Sequence, residues 1–201
     1  MIRQPAVAGS FYPDNPKQLK SIISAYLQQV PPVDKVPLAI IVPHAGYIYS
    51  GEIAASAYAR LQSRRNVIKR VVLLGPSHRV RVTGLALSSA TAFKTPLGEI
   101  PLDTEAISSL DSYDFIHYLD QAHELEHSLE VQLPFLQTTL DSFQLIPVVA
   151  GECQPEQISQ VLELFYGLND TLREMERNNH PEQPGEMVKN HFSNDGIRST
   201  N

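Results

Sequence analysis

Three short, largely apolar runs most strongly constrain the fold of this chain. They are Leu38–Val42, Arg70–Gly75 and Phe143–Val149. A continuous apolar run of this length is typical of a strand whose two faces are both buried, as in a parallel sheet covered by helices. Between the runs, apolar residues recur at the spacing typical of helices. The sequence therefore predicts an α/β fold with a largely parallel sheet flanked by helices.

The helices are predicted from the spacing of apolar residues and from capping residues. Pro16–Gln29 reads as an amphipathic helix with Asn15 as its N-cap. Further helices are expected over about Ser50–Leu61, Asp103–Leu110, His127–Leu140 and Pro155–Tyr166. Because a strand, a helix and a second strand follow one another from Leu38 to Gly75, we expect a right-handed βαβ crossover there.

The end of the chain differs in composition from the rest. Only seven of the 35 residues in 167–201 are hydrophobic, whereas ten are charged. Such a segment buries too little apolar surface to offset the entropy lost on ordering. We therefore expect an α/β domain over residues 1–166, incomplete at its C-terminus, followed by a polar, disordered tail over 167–201.

Charge and cysteine content exclude several classes of protein. The net charge of -6 argues against a general nucleic-acid binder. No apolar run approaches the ~20 residues that span a bilayer, and Met1–Ala6 has no signal-peptide pattern. The single cysteine, Cys153, excludes an internal disulfide and suits a reducing compartment. The expected location is the cytoplasm.

Two histidines follow predicted strands directly. His44 comes after Leu38–Val42, and His78 comes after Arg70–Gly75. Ligands of open α/β sheets bind beyond the carboxyl ends of the strands, and imidazole is a common transition-metal ligand. These two residues are therefore candidate metal ligands. The alternative is a pair of loop histidines hydrogen-bonded to backbone.

A third histidine motif permits a different interpretation. His123–His127 fits the H-E-x-x-H pattern, which on a helix places two zinc ligands one turn apart. The charged Glu126 between the histidines weakens this zinc-hydrolase interpretation, as does a helix predicted to begin only near His127. His123, His127 and Glu130 remain candidates for acid–base groups lining a cleft.

Five separated motifs resemble the MEMO family, whose bacterial and archaeal members are called AmmeMemoRadiSam system protein B. They are Gln4–Pro13, Pro43–Tyr47, Leu74–His78, Thr95–Gly98 and Glu126–Glu130 followed by Leu133-Pro134. The resemblance implies a fold similar to the LigB-like class III extradiol dioxygenases, which hold non-haem iron with two histidines and a carboxylate. In the eukaryotic member it implies copper or iron on two histidines and a cysteine, and those histidines match His44 and His78.

The sequence departs from the family pattern after residue 166. Family chains are longer and carry a Ser-Ser-Asp-x-x-His motif and later a cysteine ligand, neither of which occurs here. Cys153 lies outside the pattern and is not assigned as a ligand. We therefore expect a truncated or frameshifted member with two of three ligands, which binds iron, copper or zinc weakly.

Three functions follow as hypotheses. The first is a LigB-like metal protein with redox or dioxygenase-type chemistry, whose catalysis the resemblance does not establish. The second is a non-catalytic module that binds a peptide, or radical-SAM and AMMECR-type system proteins. The third is the zinc hydrolase of His123 and His127. No nucleic acid or membrane is expected as a partner.

Overall fold

The chain contains both helices and strands, with four strands in direct succession and three helices before the last described strand. The computed structural model describes residues 1–31 and 36–165. Its strands are β1 (Ile2–Arg3), β2 (Arg70–Pro76), β3 (Leu85–Leu87), β4 (Ala92–Thr95), β5 (Gly98–Pro101), β6 (Ile116–Tyr118) and β7 (Gln144–Ala150). Its helices are α1 (Pro16–Gln28), α2 (Tyr47–Tyr58), a 3₁₀ helix (Ala59–Arg64), α3 (Thr104–Ser108), α4 (Asp120–Glu124), α5 (His127–Glu130) and α6 (Leu133–Thr139). Residues 155–165 are also helical. The predicted tail over 167–201 lies outside the described residues.

The larger sheet has four strands in the order β2-β7-β3-β6. β2 and β7 run parallel from Arg70 opposite Gln144 to Pro76 opposite Ala150. β3 pairs with β6 in parallel and with β7 in antiparallel orientation. Helix α5 packs on β2, and α4 packs on β3. Two of the three strand pairings are parallel, so the predicted α/β fold with a largely parallel sheet is confirmed.

A second sheet was not predicted. It has three strands in the order β1-β4-β5, with β1 parallel to β4 and a β4–β5 hairpin. Its first strand has only two residues, too few to show the alternation by which strands are recognised in a sequence.

The core lies on both sides of β7. Leu145, Ile146, Val148 and Val149 of this strand are fully buried. On one side, Val149 belongs to a buried apolar cluster with residues from β3, α4 and α5. Elsewhere, helices α1, α2 and α6 pack together, and the rings of Tyr58 and Phe135 stack with centroids 5.1 Å apart.

Local signals located several elements correctly. Asn15 caps α1 as predicted, since its Oδ1 accepts hydrogen bonds from the amides of Lys17 and Gln18 at 3.0 and 3.1 Å. Asp103 caps α3 in the same way, through the amide of Ala106 at 3.0 Å. Strands β2 and β7 lie within one residue of their predicted bounds.

The prediction of a buried strand at Leu38–Val42 is wrong, and so is the βαβ crossover that depends on it. Residues 36–46 contain no strand, Leu38 is 55% exposed and Ile41 is completely exposed. An apolar run becomes a buried strand only where a neighbouring strand satisfies its backbone and layers cover its faces. The composition of the run indicates neither a neighbouring strand nor covering layers. Strand β2, the expected neighbour, lies at the edge of its sheet among the described residues.

Two predicted helices differ in extent. Helix α2 begins at Tyr47, after Gly46, rather than at Ser50. The single helix expected from His127 to Leu140 is divided into α5 and α6, with Pro134 in the first turn of α6. Proline has no amide hydrogen to donate to the carbonyl four residues earlier, and its ring clashes with that carbonyl, so it starts a helix more readily than it continues one.

Candidate metal centre

Three histidines come together at one end of β2. One nitrogen from each of His44, His78 and His127 can be chosen so that the three atoms lie within 4.8 Å of one another. The ring centroids are 5.2 Å apart for His44 and His78, 5.9 Å for His44 and His127, and 4.5 Å for His78 and His127. The structure thus brings both predicted ligands together and adds His127, whose predicted role was acid–base chemistry.

Packing of α5 against β2 brings His127 to His78. His78 lies two residues beyond the end of β2, and His127 is the first residue of α5. The Ser128 hydroxyl donates to the carbonyl of Pro76 at 2.9 Å. A Cβ on Gly75 would lie only 2.7 Å from the Ser128 hydroxyl oxygen, so glycine is needed for this close approach.

Hydrogen bonds hold the segment carrying His44 on both sides. The Gln132 side-chain amide donates to the carbonyl of Pro43 at 3.1 Å. The amide of Tyr47 donates to the carbonyl of Phe11 at 2.8 Å. His44 is therefore positioned by α6 and by the N-terminal loop rather than by a strand.

A buried glutamate connects the other two histidines. The side chain of Glu126 is 1% exposed, and its Oε2 accepts from the His78 amide at 2.6 Å. Its Oε1 lies 2.8 Å from His78 Nδ1 and accepts from the amides of His127 and Ser128, both at 2.9 Å. Burial, the largest influence, raises the pKa of Glu126, but these hydrogen bonds and the His78 ring together bring it down to about 2. Glu126 is therefore a carboxylate at neutral pH.

His127 is held in its neutral form. Burial lowers the pKa of this imidazole most; Glu126 raises it, while nearby His78, His44 and Arg79 lower it further. Its Nδ1 lies 3.4 Å from Glu126 Oε1 without making a hydrogen bond. A neutral imidazole keeps one unprotonated nitrogen, which is the form that binds a metal ion.

The chemistry of these donors fits a transition metal. Three imidazoles suit zinc, copper, iron or nickel, and catalytic zinc sites are known with three histidines and an open fourth position. His78 is 36% exposed at its side chain and leaves the centre accessible.

The geometry needed for the H-E-x-x-H interpretation is absent. Helix α4 ends at Glu124 and α5 begins at His127, so no continuous helix joins the two histidines. His123 is 2% exposed, and its Nε2 lies 3.0 Å from the carbonyl of Ala86. Since a carbonyl only accepts, this nitrogen carries the proton. His123 lies in the core, outside the cluster formed by the other three histidines.

Glu130 also lies in a buried network rather than at the centre. Its carboxylate pairs with Arg3 and accepts from the amides of Ala6 at 2.8 Å and Val7 at 3.0 Å. The Tyr12 hydroxyl donates to it at 2.5 Å, and burial together with this carboxylate raises the pKa of Tyr12. The N-terminal segment is thereby attached to α5. The acid–base roles proposed for His123, His127 and Glu130 stay predictions.

The stability of the protein is expected to fall as the pH decreases from about 6.5 towards 4. Burial lowers the pKa of His123 to about 4 in the folded state, against 6.5 when unfolded. The unfolded chain therefore binds a proton first, which costs about 2 kcal/mol at pH 5 by linkage. Urea unfolding at pH 7 and pH 5 measures this loss. Between pH 7 and pH 5, His123→Gln should lose about 2 kcal/mol less stability than the wild type. An equal loss in the wild type and the variant would contradict the lowered pKa of His123.

Cys153, which was not assigned as a ligand, is half-buried and free and does not belong to the histidine cluster. Within the described ranges, no helix is long and apolar enough to cross a membrane.

Comparison with known proteins identifies the family. The model of the Memo-like protein family matches residues 3–178, so the match extends beyond residue 166, where the sequence was expected to depart from the family pattern. A MEMO1 family protein of Thermoplasma volcanium is 39% identical over 154 residues, covering 76% of this chain and 56% of the relative. A MEMO1 family protein of Aquifex aeolicus is 40% identical, covering 74% of this chain and 54% of the relative. A MEMO1 family protein of Sulfurisphaera tokodaii is 41% identical over 175 residues, covering 81% of this chain and 61% of the relative.

The chain spans little more than half the length of these relatives. The matched region nevertheless includes all three histidines of the centre. Since the family model covers most of the sequence and these relatives are about 40% identical, this chain belongs to the Memo-like protein family.

Proposed function

We propose that this protein binds a divalent transition metal through His44, His78 and His127. The observation that carries the proposal is the convergence of three imidazole nitrogens within 4.8 Å. Weak metal binding was expected because the sequence predicted only two of three ligands. A third imidazole, kept neutral by burial, supports tighter binding than two alone.

Iron or copper is the metal proposed, with zinc as the alternative, in a cytoplasmic protein. A bound ion would supply Lewis-acid or redox chemistry. The chain's own part is to hold the three imidazoles close together. Half-buried His44 and exposed His78 leave one side of the centre open to a substrate. We propose redox or dioxygenase-type chemistry on a substrate that enters through this open side.

Metal titration of the metal-free protein tests the proposal. Iron(II), copper(II) and zinc(II) are added separately, and binding is followed by calorimetry and by metal analysis after gel filtration. One ion per chain is expected for at least one of the three. Oxygen uptake with a catechol and iron(II) then tests the dioxygenase-type reaction. No retained metal from any of the three would refute the proposed function.

A partner-binding role is a second candidate, supported by exposed apolar side chains near His44 in the sequence. Ile48, Tyr49 and Ile53 of α2 are 83%, 78% and 63% exposed, and Ile41 is fully exposed before His44. Grouped exposed apolar residues are typical of interaction sites. Binding of a tyrosine-containing peptide to the metal-free protein, reduced in Tyr49→Ser, would favour this role.

A further inference from the structure

The carboxylate of Glu126 is surrounded by hydrogen-bond donors. Three backbone amides, those of His78, His127 and Ser128, donate to it at 2.6 to 2.9 Å. The fourth group is the ring of His78, whose Nδ1 lies 2.8 Å from Oε1. An ionised carboxylate only accepts hydrogen bonds, so the ring nitrogen facing it must carry the proton. His78 therefore presents its unprotonated Nε2 away from Glu126.

Glu126 contacts both the segment that carries His78 and the helix that carries His127. Glu126 precedes α5, and its bonds to the amides of His127 and Ser128 cap that helix. Its bonds to His78 fix both the backbone and the ring of the residue beyond β2. One side chain thus sets the orientation of the His78 ring and the position of the helix that carries His127.

We propose that Glu126 is the positioning residue of this centre, which holds His78 in the Nδ1–H tautomer so that Nε2 is the metal-binding atom. This inference rests on the proposed metal-binding function. Histidine ligands commonly donate their second ring N–H to a carboxylate, which fixes the tautomer and the ring orientation. The sequence analysis treated Glu126 only as a charge that weakened another motif.

No common substitution reproduces these contacts. Glutamine keeps the length, but one carboxylate oxygen becomes an amide group that donates, and both oxygens here accept from N–H groups. Alanine removes the acceptors altogether and frees the ring of His78 to change tautomer. Glu99→Ala is a matched control, since it makes the same substitution at an exposed glutamate of β5 that lies outside the histidine cluster.

The tautomer is measured in the metal-free protein by ¹⁵N NMR of the histidine rings at mildly alkaline pH. In the wild type, His78 is expected to carry its proton on Nδ1. In Glu126→Ala the Nε2–H form should become prominent, and affinity for copper(II) or zinc(II) should fall about 10–100-fold in Glu126→Ala and Glu126→Gln. Glu99→Ala should retain both the wild-type tautomer and the affinity.

The outcomes separate this proposal from the metal-binding function. A wild-type protein that binds metal with His78 protonated on Nε2 when metal-free would overturn the positioning role alone. So would Glu126→Ala with unchanged affinity and tautomer. A wild-type protein with the Nδ1–H tautomer that binds no metal would refute the proposed function, while the tautomer assignment would stand. The wild-type spectrum decides the tautomer even where a variant fails to fold.

Discussion

Replacing Glu130 by alanine is expected to destabilise the protein by about 3–5 kcal/mol, the usual cost of breaking a buried ion pair by removing one partner. The carboxylate of Glu130 is fully buried, and Arg3 beside it is 6% exposed at its side chain. Alanine would leave a buried guanidinium without its counter-charge and two backbone amides without their acceptor. Because domains are stable by only about 5–15 kcal/mol, a large share of the stability would be lost.

An exposed ion pair provides the control. Arg65 and Asp141 pair at 2.8 Å with side chains 56% and 45% exposed. Asp141→Ala should cost no more than about 1 kcal/mol, since water and salt screen such pairs. Urea unfolding at neutral pH compares the two variants. Equal losses would show that the network around Glu130 does not hold the N-terminal segment to α5.

Replacing His127 by alanine is expected to lower the affinity for copper(II) or zinc(II) by more than about 100-fold. Loss of a residue that hydrogen-bonds to a metal ligand lowers the metal affinity about 10–100-fold, and loss of the ligand itself lowers it further. His44→Ala and His78→Ala should behave alike, because all three imidazoles belong to one cluster. Calorimetric titration of each metal-free variant gives the affinities.

The control for these variants is His117→Ala. His117 is exposed on β6 and lies outside the cluster of three histidines. Its removal should leave metal binding unchanged. If His117→Ala weakened binding as much as His127→Ala, or if His127→Ala bound metal like the wild type, the metal would lie elsewhere in the protein.

The case of His44 shows how a prediction can succeed for a partly wrong reason. It was chosen because it follows a predicted strand, Leu38–Val42, which does not form. Its nearness to His78 comes instead from hydrogen bonds that hold Pro43 to Gln132 and Tyr47 to Phe11. These bonds join residues far apart in the sequence, so no local pattern could reveal them.

The approach of His127 and Glu126 to His78 was missed in the sequence for a related reason. Their sequence neighbourhood indicated a zinc motif on one helix, whereas a break between α4 and α5 separates the two histidines of that motif. Glutamate is not among the preferred N-cap residues, so the cap that Glu126 forms had no sequence signal. Only the approach of α5 to β2 across Gly75 shows that its carboxylate faces His78.

The sequence by itself determined the elements whose signals are local: the capped helices α1 and α3, the apolar strands β2 and β7, and hence the α/β class. Its separated motifs also indicated the family. The tertiary structure decided the strand order, the exposure of Leu38 and Ile41, the meeting of His44, His78 and His127, and the contact of Glu126 with the last two. Capping and periodicity act between near neighbours in the chain. Strand pairing and ligand convergence depend on contacts between distant residues, which close only when the whole domain folds.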